Sequence, residues 1–252
     1  FNLVPIVYVM SIGYLVTLFF PISQTWGSLL GVVVVLAYSL IGGLRSVVYS
    51  EFVQTIVMCL SVFTVALAAA LSFGGLSFLT THLPAGHFSP LGGESILSTM
   101  VWGFIALSTL VDPNFYQRCF AAETPKVAKK GILISTFIWF CFDICTTAGG
   151  MYARAVIPEA DSKTAYLTFA FQLLPPGLRG FFLAGIVATI LSTIDSFIFT
   201  AGTTLSYDLI PVRLRGRMRW HYVAVCVVGV FSWCMAMPFV SIKEAWKIMG
   251  SY

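Results

Sequence analysis

Five hydroxyl side chains, Thr189, Ser192, Thr193, Ser196 and Thr200, recur at spacings of three and four along an uninterrupted apolar stretch. That spacing places them on one face of a helix. Asp195 lies beside the stripe. A carboxylate next to several hydroxyls is a ligand set for a hard cation such as sodium, which takes hydroxyl, carbonyl and carboxylate oxygens and needs no soft ligand. The same groups could relay protons. They also have a plain packing reading: Ser and Thr hydroxyls bond to carbonyls one turn back, and Ala184, Ala188, Ser192 and Ser196, spaced by four, permit close approach of another helix.

Other acids sit at comparable depth. An ionisable group at the bilayer centre costs about 2.5–3.5 kcal/mol on insertion scales and marks a functional path. Glu51 lies in the first turns of one apolar stretch and Asp143 near the middle of another, while Asp112 ends a third. Asp112 precedes Pro113 and Asn114, which suits an interfacial position, and Asp143 suits a hydrogen-bonding group between helices. No nucleophile-and-base motif accompanies these acids, and His82, His87 and His221 fall in loops or at helix ends, so the expectation is not an enzyme. The six cysteines show no metal-ligand spacing. Cys59, Cys141, Cys145, Cys226 and Cys234 lie inside apolar stretches and read as small buried hydrophobes, with Cys119 in a basic loop.

The elements that carry these groups follow from composition. Of 252 residues, 58% are hydrophobic and 10% charged, against about 25% charged in a soluble domain. The apolar stretches reach the roughly 20 residues that cross a hydrocarbon core as helix, and they are continuous rather than alternating, which excludes barrel strands. An all-α, polytopic transmembrane helix bundle is expected, forming a single membrane domain over residues 1–252. Its helices are placed at about 1–20, 28–42, 47–73, 95–111, 131–153, 178–208 and 221–242. Gly42-Gly43-Leu44-Arg45 makes a tight reversal, and 112–130 is read as a charged loop. The chain opens inside an apolar stretch without Met and shows no signal peptide, so a piece of a longer protein, truncated relative to the whole, is expected.

Arginine and lysine alternate across the connections. One set holds Arg45, then Arg118, Lys126, Lys129 and Lys130, then Arg213, Arg215, Arg217 and Arg219; the other holds Arg154, Lys163 and Arg179 alone. The positive-inside rule makes the first set cytoplasmic and 74–94 external. The net charge of +4 therefore points to membrane topology and not to nucleic acid.

Two segments resemble the sodium/solute symporter family. Gly42-Gly43-Leu44 followed by Tyr49, Ser50, Glu51 and Gln54 is similar to that family's turn, aromatic, small polar residue, acid and glutamine. Leu178-Arg179-Gly180-Phe181-Phe182-Leu183-Ala184-Gly185, then Ser192-Thr193-Ile194-Asp195-Ser196, resembles its eighth core helix. The stretch from Asp112 to Gly131, with Tyr116-Gln117-Arg118 and Ala121-Ala122, resembles the loop after its sixth core helix. The family's residue at position 51 is usually Asp, so Glu51 is a departure.

The resemblance implies part of a five-plus-five inverted-repeat core, from the third to the ninth core helix, with substrate near the midplane. It implies sodium-coupled symport of a small organic solute by alternating access, at the plasma (cell inner) membrane. Sodium is the coupling ion, with no cofactor and no metal beyond sodium. It places Ser192 and Thr193 hydroxyls and the Thr189 carbonyl on the main sodium, and brings Trp102, Ser108 and Thr109 toward the substrate cavity. A second cation site is implied at Glu51, Ser192, Asp195 and Ser196, the last three at positions i, i+3 and i+4 of one helix face. Two carboxylates there disfavour joint ionisation unless a cation sits between them, so a proton in place of the second sodium is the alternative. A symporter-like sensor module of a signalling protein is the alternative function.

Overall fold

A computed structural model of the chain describes residues 5–84, 86–89, 91–211, 213, 217–239, 242 and 245; at 102, 105, 106, 108 and 109 it describes the backbone alone. Among the described residues all regular structure is helical: α1 (Ile6–Thr17), α2 (Gln24–Phe73), α3 (Leu76–His82), α4 (Ile96–Ala106) continued by a 3-10 turn (Leu107–Val111), α5 (Pro113–Ala121), α6 (Pro125–Val156), α7 (Ala165–Leu173), α8 (Pro176–Thr204) continued by a π-helical turn (Leu205–Leu209), and α9 (Met218–Ala236). The stretches Gln24–Phe73, Pro125–Val156, Pro176–Leu209 and Met218–Ala236 are long and apolar enough to cross a membrane. The chain is a polytopic α-helical membrane protein.

α2 is 50 residues long, but Gly43 breaks it with φ 58° and ψ −148°. That conformation belongs to glycine alone. The break is a reversal. Ser46 Oγ donates to the Tyr38 carbonyl at 3.3 Å, and Tyr38 lies beside Gln54, whereas a straight helix would hold residues 38 and 54 about 24 Å apart. Two antiparallel arms, 24–42 and 44–73, result. The expected turn of several residues is thus reduced to one glycine. Gly42 is needed as well: a Cβ there would come within 2.6 Å of the Ser46 Cβ.

The chain divides into two compact units, residues 1–56 with 186–252, and residues 57–185. In the first, α1 rests on the 24–42 arm through small residues: a Cβ on Gly13 would come within 2.6 Å of the Gln24 carbonyl oxygen, and one on Gly31 within 2.7 Å of Ile12. Gln24 Nε2 donates to the Met10 carbonyl at 3.4 Å. α9 packs on the same arm, with Gly229 against Leu36 and Trp233 Nε1 donating to the Thr25 carbonyl at 3.1 Å. Val9, Val35, Val47, Ile194 and Ile198 form its fully buried apolar core.

In the second unit, Phe73 meets Phe78, Tyr152 and Phe169 at ring-centroid distances of 5.5, 6.5 and 6.1 Å. Tyr152 Oη donates to the Gly74 carbonyl at 2.5 Å, fixing the end of α2 to α6. The segment read as a charged loop contains α5. Asp112 caps it, accepting from the Asn114 amide at 2.8 Å, with Pro113 in its first turn, a favoured start. A hydropathy reading passes over this helix because it is amphipathic and short.

Candidate functional site

The polar groups of the first unit converge where α8 passes the α2 reversal. Asp195 is 0% exposed. Ser39, on the 24–42 arm and 2% exposed, donates its hydroxyl to Asp195 Oδ1 at 2.5 Å. From the 44–73 arm, Glu51 Oε1 accepts a hydrogen bond from the Ser196 hydroxyl, which also lies 2.9 Å from the Ser192 carbonyl. Tyr38 lies beside Asp195 and Gln54, with the Glu51 charge acting on it from farther off. Both acids therefore reach adjacent positions of α8, one residing there and the other brought by the reversal. Burying a carboxylate is tolerable only with hydrogen-bond donors or a counter-charge at hand. Here the hydroxyls of Ser39 and Ser196 supply donors.

One turn earlier, the Ser192 and Thr193 hydroxyls both donate to the Thr189 carbonyl, at 3.0 and 3.1 Å. The back-bonding expected of helical hydroxyls is thus present. It leaves the hydroxyl lone pairs available, since a donating hydroxyl still offers acceptor capacity. Thr189, Ser192 and Thr193 therefore gather three oxygens within one turn.

The remaining sequence candidates fall elsewhere. Asp143 is exposed on α6 in the second unit, with its carbonyl accepting from Thr146 Oγ1 at 3.1 Å. Asp112 is the cap of α5. The side chains of Trp102, Ser108 and Thr109 lie outside the described residues. All six cysteines are free thiols, Cys141 and Cys234 exposed and the others half-buried. Their expected burial as small hydrophobes is thus only partial, because much of the surface that carries them is not covered by this chain.

Ser39 and Tyr38 were not legible as site residues, and Gln54 was legible only as a motif member. All three reach Asp195 or its neighbours through the register of the reversal, which hydropathy does not carry. The one available signal is their closeness in sequence to the Gly42-Gly43 pair and to Glu51.

The chain is similar to known symporters. Over 196 residues it is 28% identical to the sodium/pantothenate symporter of Haemophilus influenzae, covering 75% of this chain and 40% of that protein. Over 240 residues it is 24% identical to sodium/proline symporter 2 of Staphylococcus saprophyticus, covering 90% of this chain and 46% of that protein. Over 238 residues it is 25% identical to sodium/glucose cotransporter 4 of Danio rerio, covering 76% of this chain and 36% of that protein. The chain spans less than half the length of these relatives. The model of the sodium:solute symporter family matches residues 2–248, and the chain belongs to that family.

Proposed function

We propose that this chain is part of the core of a secondary active transporter, an integral plasma-membrane protein and not an enzyme, that couples inward sodium movement to uptake of a small organic solute by alternating access. The observation that carries this reading is the buried oxygen cluster on α8, with Asp195 fully enclosed and hydrogen-bonded to Ser39. One inward charge yields about 2.3 kcal/mol per 100 mV, and a tenfold sodium gradient adds about 1.4 kcal/mol. Together these support roughly 500-fold accumulation per ion, enough to make coupling worthwhile.

In this reading the Ser192 and Thr193 hydroxyls and the Thr189 carbonyl hold the main coupling sodium. Glu51, Ser192, Asp195 and Ser196 hold a second cation, and Trp102, Ser108 and Thr109 approach the solute. Connections 112–130 and 211–220 face the cytoplasm and 74–94 the exterior. Cysteine labelling from either side tests this, and residues 80–89 accessible from the cytoplasm alone would reverse the assignment.

The solutes named for the relatives, pantothenate, proline and glucose, define the first panel. Uptake of that panel by the full-length protein, with sodium and with sodium replaced by choline, tests the function. Sodium-dependent accumulation of at least one solute is expected. Uptake indifferent to sodium would overturn the reading.

A further inference from the structure

The Tyr38 hydroxyl oxygen and the Gln54 side-chain carbonyl oxygen are both out of contact with solvent, and neither completes a hydrogen bond of ordinary geometry. An enclosed polar atom left in this way destabilises the fold, and native proteins retain such atoms where an ion, a water or a reactive group answers them. The two oxygens belong to opposite arms of the α2 reversal, and Tyr38 lies next to Asp195 and Gln54, with the Glu51 charge acting on it from farther off. Ser39, the next residue along the arm, ties Asp195 Oδ1, and Ser196 ties Glu51 Oε1. The carboxyl groups are thereby held in place from two directions, with two enclosed neutral oxygens beside them.

We propose that Tyr38 and Gln54 contribute oxygen ligands to the second cation site, and that Ser39 is the positioning residue that holds Asp195 toward it. The inference rests on the second-site reading of Glu51, Ser192, Asp195 and Ser196 and extends it to α2. The ligand class is a monovalent hard cation, sodium. An amide carbonyl and a phenolic oxygen are hard, uncharged donors, so they add coordination without adding a third negative charge to a buried pair. The reversal at Gly43 is what makes the set possible, because it returns Gln54 to the level of Tyr38.

Equilibrium binding of radioactive sodium to the purified full-length protein tests this, paired with thermal unfolding in sodium-containing and sodium-free buffer. The unchanged protein is expected to bind sodium in two components. Tyr38→Phe and Gln54→Met should each weaken one component about tenfold, the scale of one lost ligand to a charge, and leave the other intact. In sodium-free buffer Tyr38→Phe should unfold at no lower a temperature than the unchanged protein, since the contacts of the deleted oxygen with Gln54 and Asp195 fall short of good hydrogen-bond geometry. The rise in unfolding temperature on adding sodium should shrink. A purely structural tyrosine would give the opposite pattern, with lower stability and intact sodium binding. Ser39→Ala should weaken the same component and Ser39→Thr should restore it.

Sodium binding unchanged in Tyr38→Phe and Gln54→Met overturns the inference. If Glu51→Gln and Asp195→Asn abolish a component that those two variants leave alone, the second site stands and its extension to α2 falls. If the acid variants also leave both components untouched, the second-site reading itself falls. Should Gln54→Met fail to fold, Tyr38→Phe, which removes a single atom, decides alone.

Discussion

Two aspartates occupy the middle of long apolar helices, and their settings differ completely. Asp195 on α8 is fully enclosed, bonded to Ser39 from one arm of α2 and next to Ser196, which is bonded to Glu51 from the other. Asp143 on α6 is exposed, and none of the most apolar stretch of α6 is buried by this chain. The difference lies in the neighbours that this chain supplies to each helix, and the chain spans less than half the length of its relatives. α8 carries hydroxyls and small residues along one face, so it tolerates close polar neighbours, while Trp139 and Phe140, four and three residues before Asp143, share its helix face. Asp195 is enclosed because a neighbouring segment, the 24–42 arm of α2, brings it the Ser39 donor.

The largest effect is expected at Asp195. Asp195→Asn keeps the size of the side chain and its capacity to accept from Ser39, and removes the charge. Apparent sodium affinity in uptake should fall about tenfold or more, the scale of a lost charged interaction of about 1.5–3 kcal/mol. Next is the reversal that delivers the partners of Asp195. Gly43→Ala forces a side chain into a conformation reserved for glycine, at a cost of about 1–3 kcal/mol, and thermal unfolding of the purified protein should register it. Ser192→Ala and Thr193→Ala should each raise the sodium requirement of uptake by about threefold to tenfold, as for the loss of one neutral donor or ligand, with expression near normal. Unchanged sodium dependence in both removes them from the main site. The smallest effect belongs to the other side of the comparison. Asp143→Asn should leave sodium affinity within about twofold, because Asp143 is not among the residues that the oxygen cluster on α8 brings together. An effect as large as that of Asp195→Asn would erase the distinction between the two residues.

Much of this was legible in the sequence because the bilayer makes length and hydropathy decisive. The apolar stretches around α2, α6, α8 and α9 were marked by lengths matching the hydrocarbon core, and Gly42-Gly43 marked the reversal. The Ser and Thr stripe around Asp195 was legible because helical periodicity is local. α5 was not, since a short amphipathic helix leaves no hydropathy signal, although Asp112-Pro113-Asn114 was a capping pattern in plain view. Ser39, Tyr38 and Gln54 escaped for a different reason. Their approach to Asp195 is set by which residues oppose one another across a single-glycine turn, and by how α8 packs against both arms, neither of which a linear pattern records.

In the proposed function the oxygen cluster on α8 binds the ions that drive solute movement. This role is tested most directly by the initial rate of solute uptake by the full-length protein as a function of external sodium. A sigmoidal dependence with a Hill coefficient above one, falling to a simple hyperbola in Asp195→Asn, is the predicted result. A rate independent of sodium, or a curve identical in the two proteins, would contradict it.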